Sequence, residues 1–283
     1  MRVVSFGSLN ADLAIAVPHL AAPDETVAAH GLVEHLGGKG ANQAVAAARL
    51  GADVSMIGAV GDDAHGARLR AGLAAAGVDV DAVRVQPGPS GIAVIQVADD
   101  GGVNIVVVAG ANAAVDAADA ERASTLIRGA DVLLLQGEVA AAASLRAADI
   151  ARRAGTFVVF NPAPVAAGAA EVAASADLVI ANRVEADQLG LVASSRVVVT
   201  LGAEGALAGS ELVAAYPATV VDATGAGDAF VASCALSRAG GAPLVEAVRR
   251  GCAAGAWAVG VAGAQPSLPD TAEVDEVMRR DTG

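Results

Sequence analysis

The sequence predicts an α/β fold, a three-layer sandwich around a mostly parallel sheet with a small antiparallel β lid, and two observations carry that expectation. Short runs of apolar and β-branched residues alternate with alanine-rich stretches of helical length, the rhythm of a parallel sheet covered on both faces. Between residues 90 and 109 the rhythm breaks. There Ile92-Ala93-Val94-Ile95-Gln96-Val97 and Val103-Asn104-Ile105-Val106-Val107-Val108 flank the turn-forming Asp99-Asp100-Gly101-Gly102, which reads as a hairpin.

In chain order, strands are expected near 2–7, 53–59, 131–136, 156–160, 177–180 and 196–201, and helices near 40–50, 63–77, 116–129 and 139–154. Short runs near 12–17 and 27–33 join the hairpin in the lid, so lid strands are inserted at about 12–34 and 90–109 of one domain spanning 1–283. Beyond residue 217 the pattern is helical, over 225–238, 243–259 and 270–280. With 54% hydrophobic but 2% aromatic residues, the core must be built from Ala, Val, Leu and Ile, which suits alanine-rich helices on valine-rich strands.

A net charge of −13 speaks against nucleic acid or an anionic membrane surface as partner, since both demand clustered Lys and Arg. Two cysteines, Cys234 and Cys252, are too few for a disulfide framework. No signal-peptide pattern and no apolar run of membrane length occurs, and the expected location is the cytoplasm.

Ligands of such sheets bind in the loops that lead from strands into helices, and the candidate motifs lie there. Asp222-Ala223-Thr224-Gly225-Ala226-Gly227-Asp228 places small residues before an apolar helix, where backbone N–H groups converge on an anion. Asp228 is by spacing either a chemical group or a carboxylate that favours a helix start. Gly37-Gly38-Lys39-Gly40-Ala41-Asn42-Gln43 feeds a second helix; it departs from a Walker A loop because Gly40 follows Lys39, and it reads as a polar-ligand loop or a flexible turn. Asn10 and Asp12, just after the first strand, suit vicinal hydroxyls, although such residues also form turns. Asn182 and Glu185 offer hard oxygens for magnesium, or simply a capping box. Glu138 is a further acid at a strand end, and none of His19, His30, His35 and His65 has ligand spacing.

Taken together and in this order, from Val3 to about Pro269, these segments resemble the ribokinase family of carbohydrate and nucleoside kinases. The stretches Asn10-Ala11-Asp12, Gly38 to Ala46 and Gly263-Ala264-Gln265-Pro266-Ser267 carry the likeness furthest toward a D-ribose acceptor, phosphorylated by ATP at its 5-hydroxyl. The resemblance implies Asp228 as general base beside an anion hole of Gly225, Ala226 and Gly227. It implies a sugar site of Asn10, Asp12, Gly38, Lys39, Asn42, Glu138 and Asp228, and a nucleotide site of Asn182, Glu185, Thr200, Gly202, Gly205, Gly227 and Cys252. It further implies Mg2+ with the nucleotide, a K+ site of Asp222, Thr224, Ala258, Val261, Gly263 and Ser267, and a homodimer through the lid.

Three features depart from the family pattern. Only residues 186–199 separate Glu185 from Thr200, where a further helix is usual; Ala223 replaces a hydroxyl residue; and Cys252 stands at an adenine-side position where His or Asn is common. The rival readings are a kinase of another acceptor (a nucleoside, a fructose-type sugar or a deoxy-sugar acid) and a non-catalytic sugar-binding paralogue.

Overall fold

A strand buried on both faces needs no polar alternation, and Val132-Leu133-Leu134-Leu135 has none: all four side chains are buried. Runs of this kind define the main sheet of the computed structural model, which describes residues 1–280. The first part of the chain forms β1 (Arg2–Phe6), β2 (Asn10–Val17), β3 (Gly31–Gly37), α1 (Lys39–Arg49), β4 (Asp53–Gly61), α2 (Ala64–Ala75), β5 (Val78–Asp79), β6 (Val83–Gln86), β7 (Gly91–Ala98) and β8 (Val103–Val108). Next come α3 (Ala117–Arg122), α4 (Ser124–Gly129), β9 (Val132–Gln136), α5 (Ala141–Ala154), β10 (Phe157–Asn161), α6 (Ala169–Ser175), β11 (Leu178–Asn182), α7 (Arg183–Leu189), β12 (Val197–Thr200), β13 (Ala206–Ala208) and β14 (Glu211–Val213). The last part is helical: α8 (Ala226–Ala239), α9 (Leu244–Ala258), α10 (Ala264–Ser267) and α11 (Thr271–Arg280).

The main sheet runs β14-β13-β12-β11-β10-β9-β1-β4-β5, with β6 also paired to β4. Its pairs are parallel from β12 to β5, while β13 and β14 add an antiparallel edge. Successive residues face opposite layers, as the pleat demands. Val132 and Leu134 enter one core with helices α1, α2, α8, α9 and α11; Leu133 and Leu135 enter a second with α3 to α7. The three-layer sandwich follows from that division.

The lid is a separate sheet, β3-β2-β7-β8. Its hairpin β7–β8 is antiparallel as expected, as is the pair β2–β3, and the two are joined by one parallel pair, β2 with β7. β2 follows β1 and β7 follows β6, both leaving the carboxyl ends of strands that run parallel to β4, and so they run the same way. The expected strand at 27–33 begins only at Gly31, whose partner Ala16 lies at the end of the paired register. The expected helix at 116–129 is two helices that meet at Ala123, where φ and ψ of −92° and 12° leave the helical range without a glycine or proline to announce it. Between α7 and β12 no further helix forms, as the short spacing implied, and Val192 there is exposed. Among the described residues no helix is long and apolar enough to cross a membrane.

Candidate active site

Parallel strands β1, β9, β10, β11 and β12 end on one side of the main sheet, and their carboxyl ends with the following loops floor a cleft of about 770 Å³. The lid roofs it with apolar side chains that include Ala93, Ile95 and Val107. Glycine makes the floor possible. A Cβ on Gly40 would lie 2.6 Å from the Ser8 nitrogen, and one on Gly38, whose φ is +88°, would lie 2.7 Å from the Asn10 nitrogen. The loop after β1 therefore packs backbone to backbone on the start of α1, bringing Asn10 and Asp12 beside Lys39 and Asn42.

Glu138 closes this corner. Its Oε2 accepts from the Lys39 N–H at 3.0 Å and from the Ser8 hydroxyl, so it serves the positive end of α1 as well as facing the cleft. Asn10 is held from behind by Asn112, whose Nδ2 donates to Asn10 Oδ1 at 2.8 Å and to the Leu9 carbonyl at 3.1 Å, while its Oδ1 accepts from the Leu9 N–H at 2.9 Å.

Asp228 is the third residue of α8 and is buried at the cleft floor. Its Oδ2 accepts from Asn42 Nδ2 and its Oδ1 from Gln43 Nε2, each at 3.0 Å. Burial pushes its carboxyl above the ordinary range, opposed first by the Lys39 charge and then by these two bonds. Asp12 rises to about 7, because burial is reinforced by the charges of Glu138 and Asp228. Burial disfavours the Lys39 ammonium, yet Asp228, Glu138, Glu185 and Asp12 together raise it. The cleft thus gathers five carboxylates, including Asp222, around one cation, Lys39.

At the start of α8, Gly225 has φ of +83° and Ala226 turns its N–H back on the Ala223 carbonyl at 3.3 Å. The N–H groups of Gly227 and Asp228 remain at the open end of the helix, where an anion is favoured.

A sequence profile describing the pfkB family carbohydrate kinases matches residues 1–271. The chain belongs to that family. A ribokinase of Bacillus subtilis is 35% identical over 291 residues, spanning 98% of this chain and 99% of its own. One from Haemophilus influenzae is 34% identical over 295 residues, spanning 96% of each chain. A solved ribokinase of Arabidopsis thaliana, complexed with ribose and ATP, is 31% identical with a TM-score of 0.86 over 98% of both chains.

In this pfkB-family kinase the loop before α8 is tied to the loop before α10. Asp222 Oδ1 accepts from the Thr224 N–H at 2.9 Å and its hydroxyl at 2.6 Å, and Oδ2 accepts from the Gly263 N–H at 2.8 Å. Although burial works the other way, these bonds hold the Asp222 carboxyl below its ordinary value. Ser267 Oγ lies 3.4 Å from the Thr224 carbonyl and donates to that of Ala264 at 2.8 Å. Asp222, Thr224, Gly263 and Ser267 are therefore neighbours. The Ala258 carbonyl instead accepts the Val261 N–H at 3.1 Å in a turn of its own.

Where the resemblance sets the nucleotide, Asn182 and Glu185 form a full capping box: Glu185 N–H donates to Asn182 Oδ1 at 2.9 Å, and Asn182 N–H to Glu185 Oε2 at 2.8 Å. Both also line the cleft with Thr200, so the capping role and the site coincide. Burial raises the Glu185 carboxyl, opposed by the bond from Asn182 and then by Lys39. Gly202 and Gly205, with φ of +61° and +106°, shape the turn that follows Thr200. Cys252 does not line the cleft. It is buried on α9 with its sulfur 4.0 Å from the Val213 carbonyl, its thiol pushed up to about 11 by burial.

Four polar residues of the site were not singled out in the sequence: Gln43, Asn112, Gln136 and Asn161. Three carry a readable signal. Gln136 and Asn161 are polar final residues of otherwise apolar strands, and Gln43 lies inside the glycine-rich motif.

Proposed function

We propose that the chain transfers the γ-phosphoryl group of ATP to the 5-hydroxyl of D-ribose, with Asp228 as general base. The observation that carries this reading is Asp228 itself, a buried carboxylate at the mouth of an open helix N-terminus, gripped by Asn42 and Gln43 beside Lys39. The family match and the ribokinase relatives support ATP as donor and ribose as acceptor. The charge of the cleft supports an uncharged acceptor, because five carboxylates against Lys39 would repel a sugar that already bears phosphate. Asn10, Asp12, Asn42 and Glu138 supply the mixed donors and acceptors that hydroxyls require, under an apolar lid.

Phosphoryl transfer asks for in-line positioning and dispersal of charge. Asp228 takes the hydroxyl proton as the hydroxyl oxygen bonds to the γ-phosphorus and the bond to the β-phosphate oxygen breaks. The Gly227 and Asp228 N–H groups, with Gly225 and Ala226 shaping the turn, face the developing negative charge, and Lys39 stands near it. Asn182, Thr200 and the Gly202–Gly205 turn line the nucleotide's side. Mg2+ fits the hard oxygens of Glu185 and Asn182, and when bound it supplies neutralisation of phosphate charge. K+ fits the carboxylate and carbonyl oxygens around Asp222, Thr224, Gly263 and Ser267, with Ala258 and Val261 on the adjoining turn. These residues order the loop that ends in Gly225.

The lid favours a homodimer: β8 is an unpaired sheet edge, and Val106 and Val108 are exposed on its face away from the cleft that Val103, Ile105 and Val107 line. Light scattering at micromolar concentration checks this, and a monomer refutes it. The activity itself is tested by ADP release from ATP and Mg2+, with and without K+, across ribose, deoxyribose, fructose, adenosine, uridine and pseudouridine. Selective, K+-stimulated turnover of ribose is expected. A different preferred acceptor overturns the substrate, and no turnover with any acceptor favours a sugar-binding protein.

A further inference from the structure

Gln43 lies one residue beyond Asn42 on α1, wholly buried and behind the cleft wall. Its carboxamide is fully engaged. Nε2 donates to Asp228 Oδ1 at 3.0 Å and to Asn161 Oδ1 at 3.2 Å, while Oε1 accepts from Gln136 Nε2 at 2.8 Å. Asn161 has its own direction set, since its Nδ2 donates to the Ile180 carbonyl at 2.8 Å and so leaves its oxygen facing Gln43. Gln136 is pressed against the loop after β1: a Cβ on Gly7 would lie 1.9 Å from its Oε1. Turning the Gln43 amide over would set oxygen against oxygen at both Asp228 and Asn161.

We propose that Gln43 is a positioning residue for the base: Asn161 sets the direction of its amide, and Gln136 holds its oxygen, so that an N–H is always presented to Oδ1 of Asp228. The proposal rests on Asp228 being the base. Asn42, which lines the cleft, holds Oδ2 from the substrate side, and Gln43 holds Oδ1 from the core side, so the carboxylate has one orientation toward the acceptor hydroxyl. The donated N–H also favours the ionised carboxylate that proton abstraction requires, against burial. The charged groups that reach Asp228 are Lys39 on α1, Glu138 after β9 and Asp12 on β2; the first favours ionisation and the other two oppose it.

The test is the pH profile of kcat, at saturating sugar and ATP, for wild type, Gln43→Met and Gln136→Leu. Gln43→Met keeps the volume and removes the donor. Its acid limb is expected to move to higher pH by roughly one unit, the scale of a hydrogen bond to a charged group, with sugar KM changed less than about threefold. Gln136→Leu leaves Gln43 in place but withdraws the donor that holds its Oε1, loosening the amide, so a smaller shift of the same sign is expected; it carries the test alone if Gln43→Met does not fold. A fall in kcat that is uniform across pH, with the limb unmoved in whichever variant folds, overturns the proposal. Asp228→Asn separates the two levels: near-wild-type turnover in that variant overturns the base assignment itself, whereas its loss leaves only the role of Gln43 at stake.

Discussion

Replacing Asp12 with Asn should stabilise the protein while weakening its hold on sugar, and the gain should grow with pH. Asp12 is buried on β2, packed so closely on Gly37 that a Cβ there would lie 2.0 Å from its Oδ2. No hydrogen bond reaches its carboxylate among the described residues, and Glu138 and Asp228 add repulsion that Lys39 only partly offsets. Its carboxyl is therefore raised from 3.8 to about 7. For an acid raised in this direction the folded state holds the proton more tightly, so stability falls as pH climbs through that window and the full cost is present above about 7. At about 1.4 kcal/mol per pH unit the cost is about 4 kcal/mol, which corresponds to roughly 10 °C in Tm for a chain of this size. Asn resembles the neutral acid. Thermal melts of the ligand-free protein should show Asp12→Asn level with wild type near about pH 4 and increasingly above it up to about pH 8, while kcat/KM for the sugar drops. A variant that melts below wild type at the alkaline end, or by a margin that ignores pH, would refute the reasoning.

Three further outcomes follow from the same geometry. Asp228→Asn should lower kcat by about 10²–10⁴-fold with sugar affinity held within about tenfold, checked by steady-state kinetics and calorimetry, because the carboxylate acts mainly in the transition state. Asn112→Ala strands the buried Leu9 backbone groups and releases Asn10; a loss of about 1–3 kcal/mol in denaturant melts and a raised sugar KM are expected. Gly40→Ala should cost about 1–3 kcal/mol by overpacking against the Ser8 and Gly7 backbone, whereas a Cβ on Gly51 meets nothing within 4 Å and Gly51→Ala should bear only the strain of its φ of +86°.

Strand and helix order was legible in the sequence because burial on both faces leaves a mark: uninterrupted apolar runs such as Leu178-Val179-Ile180, set between alanine-rich helices. The glycine clusters at 37–42 and 222–228 marked the ends of the strands where the cleft lies, since backbone contact at Gly38 and Gly40 tolerates no side chain. Other features were not local and left no such mark. The parallel pairing of β2 with β7 depends on where two distant segments leave the main sheet, and the antiparallel edge of β13 and β14 rests on strands of three residues each. The break at Ala123 has no residue that signals it. Nor does the sequence show that the thiol of Cys252, which the resemblance set on the adenine side, lies in the core where α9 packs on β14. What the sequence determined by itself is the layered α/β architecture and the identity of the acid at the start of α8, because these follow from periodicity and from residue type. The tertiary structure alone decided that Gln43, Gln136, Asn161 and Asn112 stand behind the site, because hydrogen bonds between residues about 100 positions apart exist only once the sheet has brought its strand ends together.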